Sequence, residues 1–154
     1  MTRILEANGK RPAVWNEAIE GGELARSTRV HGWESVKACL DATAAGYRTV
    51  VMPGQYFYFD MRQSPHEDGH DWAAIFDVRK TYSFDFARCG FTPAQEANVL
   101  GVEGAFFSEL YVSHNPETPD YLDYMTFPRA CALAELGWSE GVREWTEFYR
   151  RLRS

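Results

Sequence analysis

The chain predicts an α/β fold carried by a parallel sheet. Two observations lead there: short β-branched or aromatic runs alternate with stretches of helical spacing, and polar and aromatic residues gather where those runs end. Four strand–helix units can be counted, and in such a sheet the functional residues belong at the C-terminal ends of the strands. The 154 residues, 45% of them hydrophobic, suffice for one packed core, so residues 1–154 are expected to form a single domain.

The opening Ile4-Leu5-Glu6-Ala7, followed by Asn8-Gly9-Lys10, reads as the last turn of a helix ended by glycine, an opening expected of a chain cut from something longer. Pro12 to Glu17 reads as a first short strand and Thr28 to Trp33 as a second, each with a tryptophan near its C-terminal end. From Glu34, the residues Val36, Cys39, Leu40 and Thr43/Ala44 fall at helical spacing, and Gly46 stands where a C-terminal cap belongs. Arg48 to Met52 is the third strand. The segment Gln55 to Asp60 is expected to end as a strand does, and a polar stretch follows through His70. Thr92-Pro93 opens a helix, with Glu96 expected to close a capping box. Val99 to Phe107 is the fourth strand, and the remainder is helical from about Asp120 to Trp138, kinked at Pro128, then from about Gly141 to Leu152.

Tyr58-Phe59-Asp60 and Phe107-Ser108-Glu109 each place an aromatic residue two positions before a carboxylate. Alternation along a strand points residues i and i+2 to one side, which suits a sugar ring: flat apolar surface for its C–H faces and charged acceptors for its hydroxyls. The formal charge of −6 argues against nucleic acid, because phosphate binding needs a basic patch and the only clustered cations are Arg150, Arg151 and Arg153. No apolar run has the length of a membrane span. Cys39, Cys89 and Cys131 are odd in number and have no metal-like spacing, which argues against a disulfide framework or Cys-ligated zinc, and Cys39 and Cys131, in apolar helical patterns, read as buried small hydrophobes. His66-Glu67-Asp68-Gly69-His70 has the letters of a zinc-protease motif, but Pro65 and Gly69 signal a turn where the chemistry needs a helix, so neither metal nor cofactor is expected.

Lys10-Arg11-Pro12-Ala13-Val14-Trp15-Asn16-Glu17, the strand end at Trp33, Tyr58-Phe59-Asp60, Leu100-Gly101-Val102-Glu103 with Ser108-Glu109, and Phe127-Pro128-Arg129 with Ala134-Glu135 and Trp138-Ser139 occur in an order that resembles family 20 glycoside hydrolases, the β-N-acetylhexosaminidases. The resemblance covers nearly the whole chain. It implies a (β/α)8 barrel of the TIM type, of which this chain would hold strands five to eight, so that residues 1–154 form a partial domain. It implies retaining hydrolysis of terminal N-acetylglucosamine or N-acetylgalactosamine, in which the substrate's 2-acetamido oxygen replaces a protein nucleophile. By position, Trp15 and Trp33 would wall the acetamido pocket, Tyr58 would donate to its carbonyl oxygen, and Asp60 and Glu109 would hold the O4 and O6 hydroxyls. Phe107 stands where the family usually has a third pocket tryptophan. The family's adjacent Asp-Glu pair, which orients the acetamide and supplies the general acid/base, would precede residue 1. A half-barrel leaves two strand edges and an apolar face to cover, so the expected partner is an N-terminal half-barrel or a second copy in a homodimer.

Other readings of the same residues stand beside this one. The chain would serve as a non-catalytic module that binds N-acetylated sugars or assembles with another half, or Asp60 and Glu109 would be the two carboxylates of a conventional glycosidase. Glu103 is expected to pair with Arg129 or another cation, and Arg129, Glu135 and Trp138 to lock the last long helix to the barrel.

Overall fold

The computed structural model describes residues 2–110, 120–139 and 141–154. It is α/β, with a four-stranded, wholly parallel sheet in the order β1-β2-β3-β4, formed by Ala13–Trp15, Arg29–Gly32, Arg48–Val51 and Val99–Val102. Adjacent parallel strands in chain order are the arrangement of half of a (β/α)8 barrel, as the sequence led us to expect. The contacts divide the chain into two compact units, Met1–Gly54 with Asp85–Glu103 and Gln55–Phe84 with Gly104–Ser154.

The first unit contains the whole sheet. Register pairs Val14 with Val30 and Trp15 with His31, so one face carries Val14 and Val30 and the other Trp15 and His31. The apolar face meets the helix Val36–Ala44 in a core of Val30, Ala42 and Tyr47, with Val14, Ile19 and Leu24 packed against it. Ser35 caps that helix by accepting the Ala38 N–H at 3.1 Å, and Gly46 ends it at a φ of +83°, which a β-carbon would resist. The helix lies so close to β2 that a β-carbon at Gly32 would stand 2.6 Å from Cys39 Sγ and 3.2 Å from its Cα. Gly32→Ala is therefore expected to cost about 1–3 kcal/mol as overpacking, read as a lower urea midpoint. An unchanged midpoint would show that the helix yields.

In the second unit the helices Val78–Tyr82, Arg129–Trp138 and Trp145–Leu152 enclose Tyr82, Ala132 and Phe148. The stretch expected as one helix kinked at Pro128 is instead two helices, Tyr121–Thr126 and Arg129–Trp138, because Phe127, the residue before the proline, is extended and breaks the helix. Glu135 forms the expected ion pair, meeting Arg151 through both guanidinium ends at 3.2 and 2.7 Å, and this bond holds its carboxyl below the usual range. Trp138 does not pack as expected: it is 87% exposed. Nine residues beyond Arg129, it faces opposite to the buried Arg129 on the same helix.

Three boundaries differ from expectation. Gly54–Phe57 is a helical turn rather than a strand approach, and the fourth strand stops at Val102, with Ala105 forming only an isolated parallel bridge to Tyr58. Gln95, not Glu96, closes the capping box, because three positions after the N-cap Thr92 is residue 95. Residues 66–70 form turns, not a helix, and among the described residues no group of three or more His, Cys, Asp or Glu is placed to hold a metal ion.

Candidate functional site

Of the expected site residues, Trp15 and Trp33 belong to the first unit, and Tyr58, Asp60, Phe107 and Glu109 to the second. In the first unit, β1 runs directly into a 3-10 turn at Asn16–Ile19, which buries Asn16. Its Oδ1 accepts the N–H of Trp33 at 3.0 Å and of Glu34 at 3.4 Å, while its Nδ2 donates to Glu34 Oε2 at 3.1 Å. One amide thus pins the chain as it leaves β2 and fixes the root of Trp33. The Trp33 indole then donates to both Glu17 oxygens, each at 3.0 Å, so Glu17 sets the ring's orientation. Trp15 is 49% exposed and meets its register partner His31 edge-on, with centroids 5.8 Å apart.

Beside Trp15 lies a cavity of about 280 Å³ lined by Ala13, Val14, Trp15, His31 and Glu103. Glu103 Oε2 is 3.4 Å from His31 Nδ1. Of the partners expected for Glu103, the one beside it in this unit is the imidazole carried by the neighbouring β2.

The second unit brings its four expected residues together. The Phe59 N–H donates to Ala105 O at 2.6 Å and the Ala105 N–H to Phe57 O at 3.0 Å, clamping the 57–59 segment alongside residues 105–107. Tyr58 consequently packs against Phe107, centroids 5.4 Å apart, and edge-on against Trp72 at 5.8 Å. Phe107 keeps 40% of its surface exposed and Trp72 more than half, which leaves apolar ring surface open on either side of Tyr58.

Asp60 is only 2% exposed, and its Oδ1 has no hydrogen-bond partner. Burial pushes its carboxyl above the usual carboxylate range; its own N–H, His70 and the Phe107 N–H pull the other way, and Glu109 adds to the rise. A carboxylate withdrawn from water, with one oxygen unengaged, is a strong acceptor for an incoming hydroxyl. The His70 N–H donates to Asp60 O at 2.9 Å, and the Arg62 N–H to His70 O at 2.8 Å, so the 62–76 loop is anchored at residue 60.

Beneath this cluster sits Arg129, fully buried. Its Nη1 donates to Met61 O at 2.7 Å and Phe76 O at 3.3 Å, its Nη2 to Phe59 O at 2.7 Å and to Met125 O, and its Nε to Met125 O at 3.1 Å. Burial lowers its pKa to about 10, which still leaves it charged at neutral pH, and Asp60 is first among the charges that oppose the fall.

Sequence reasoning missed Glu17, Trp72 and the role of Arg129. A Trp set among His70 and Asp71 in a polar stretch was the available signal for Trp72. Nothing in the local pattern marks Glu17 as an indole acceptor.

The model of the family described as glycosyl hydrolase family 20, catalytic domain, matches residues 1–141. A β-hexosaminidase of Vibrio furnissii is 31% identical over 136 residues, which are 86% of this chain and 21% of that protein. Among solved structures, the chain superposes at a TM-score of 0.82 and 32% identity on a Vibrio harveyi exo β-N-acetylglucosaminidase in complex with N-acetylglucosamine, covering 99% of this chain and 24% of that one. The corresponding figures for a Streptomyces plicatus N-acetyl-β-hexosaminidase are 0.78, 28%, 98% and 31%. The chain thus spans well under half the length of these relatives.

Proposed function

Because the chain belongs to the glycosyl hydrolase family 20 catalytic domains, we propose that it carries sugar-recognition residues of a β-N-acetylhexosaminidase, which removes terminal N-acetylhexosamines by substrate-assisted, retaining hydrolysis. The observation that carries this reading is the buried Asp60 carboxylate, with an unengaged oxygen, in the same unit as the exposed ring surfaces around Tyr58. In this chemistry the acetamido carbonyl oxygen attacks the anomeric carbon as the leaving group departs, so the protein must orient the acetamide and hold the ring. Tyr58 is assigned the hydrogen bond to that carbonyl oxygen. Phe107 offers a wall to the ring, and Asp60 and Glu109 accept from its O4 and O6 hydroxyls.

The acid/base pair is proposed to come from outside these 154 residues, supplied by a further half-barrel segment or by an associated chain. General acid catalysis contributes on the order of 10²- to 10⁴-fold. The chain itself is therefore expected to bind N-acetylglucosamine without robust turnover of a chromogenic N-acetylglucosaminide. Titration followed by tryptophan fluorescence tests the binding. Tyr58→Phe should lower the preference for N-acetylglucosamine over glucose by roughly 0.5–1.5 kcal/mol, the worth of one neutral hydrogen bond. Equal binding of the two sugars by the unaltered chain would overturn the assignment.

A further inference from the structure

We propose that Arg129 is the positioning residue for Asp60: its guanidinium straddles residue 60, bonding the carbonyls of Phe59 and Met61 on either side, and so aims the carboxylate while taking none of its lone pairs, Oδ1 remaining unengaged. The proposal rests on the reading of Asp60 as a sugar-hydroxyl acceptor. A guanidinium has five N–H donors in a fixed planar fork. Here all five are spent on four main-chain carbonyls, Met125 taking two, with Phe76 as the remaining partner. None is left for the Asp60 carboxylate. This is unusual for a buried arginine close enough to a buried acid to respond to its charge, since the common outcome is a bidentate pair that saturates both partners.

The arrangement has two effects on residue 60. The bonds to Phe59 O and Met61 O, both 2.7 Å, fix the peptide group before residue 60 and the one beyond Met61, and the His70 N–H fixes the peptide between them through Asp60 O at 2.9 Å. Every main-chain carbonyl from 59 to 61 is thereby held, and the side chain inherits that order. The Phe59 and Phe76 rings lie 5.6 and 5.0 Å from the guanidinium carbon and shield it from water, so its charge acts on nearby acids with little screening. Lysine, with three donors on a flexible stem and no fork, cannot hold both flanking carbonyls in the same plane.

The test compares Arg129→Lys with the unaltered chain in binding N-acetylglucosamine, its 4-deoxy and 6-deoxy analogues, and glucose, by calorimetry or NMR. The unaltered chain should discriminate against the deoxy analogue that lacks the Asp60-bound hydroxyl by about tenfold or more. In Arg129→Lys that ratio should collapse toward one, while the preference for the acetamido group over glucose persists. A variant that is merely less folded loses affinity for every ligand by the same factor, so its ratios stay as they were. Unchanged deoxy ratios would therefore overturn the proposal.

Should Arg129→Lys fail to fold, hydrogen exchange at the Arg129 Nε–H in the unaltered chain decides. N-acetylglucosamine should slow it more than one of the deoxy analogues does, and equal slowing by all three sugars would overturn the link. No binding of any sugar by the unaltered chain would instead overturn the proposed function itself.

Discussion

Arg129→Met is expected to destabilise the chain by about 3–5 kcal/mol, a large share of the 5–15 kcal/mol that holds a typical domain together. Methionine matches the length of the arginine stem and brings no donor, so the carbonyls of Phe59, Met61, Phe76 and Met125 lose the group that satisfies them. Those carbonyls come from the 59–61 segment, the 62–76 loop and the end of the preceding helix, which the guanidinium ties at one point. One term works the other way: removing a buried charge removes its desolvation cost, the same cost that lowers the Arg129 pKa to about 10. Each orphaned acceptor costs ~1–3 kcal/mol, and there are four of them, so the loss dominates. Urea unfolding should show a lower midpoint at unchanged slope, and a midpoint within error of the unaltered chain would refute this account.

Asp60→Asn should separate binding from stability. Asparagine keeps the shape but halves the acceptors and removes the charge, so the affinity for N-acetylglucosamine should fall by roughly 10- to 100-fold, as expected for losing hydrogen bonds to a charged group. Stability should move oppositely. The folded-state pKa of Asp60 is raised, so the fold binds its proton more readily than the unfolded chain does, and this group's contribution to stability falls as pH rises from the unfolded value through the folded one. Once the pH exceeds the unfolded carboxyl's pKa, burial of this group is a net burden, and Asp60→Asn should raise the melting temperature there. That advantage should shrink as pH falls and vanish below the unfolded carboxyl's pKa, where Asp60 is neutral in both states. A variant that binds as well as the original, or that melts lower at pH 7 and higher in acid, would contradict the assignment. A binding residue held at the expense of stability is a common compromise at functional sites.

Much of this was legible in the residues, because strand and helix periods differ and few residues end a helix as Gly46 does. The runs Ala13–Trp15, Arg29–Gly32 and Arg48–Val51 are short, apolar or β-branched, and followed by turn residues, so local pattern and tertiary placement agree. Gln55-Tyr56-Phe57-Tyr58 misled because an aromatic run suits a strand and a buried helical turn equally well. Long-range contacts decide it: Thr81 Oγ1 donates to Tyr56 O at 2.7 Å, and the Phe84 ring packs edge-on against Tyr56. Val99 to Phe107 read as continuous, but Gly101 adopts a φ of +153° and the ladder ends one residue later. At the candidate site, the aromatic-to-acid spacing at 58–60 and 107–109 picked out residues that converge within one unit. Alternation was the wrong reason, since Tyr58, Phe59 and Asp60 are all buried and lie beyond any strand. The role of Arg129 was hidden because its partners are carbonyls, which leave no trace in side-chain identity.

The tight seat of the helix Val36–Ala44 on Gly32 also determines the redox character of one thiol. Cys39 donates its S–H to Gly32 O at 3.1 Å, and burial pushes its pKa up to about 12. At neutral pH only on the order of one such group in 10⁵ is thiolate, the form that reacts with alkylating agents and peroxides. Cys39 is thus chemically silent while the sheet and helix stay joined. Its modification would time the parting of these two elements, acting as a built-in clock for breathing of the first unit.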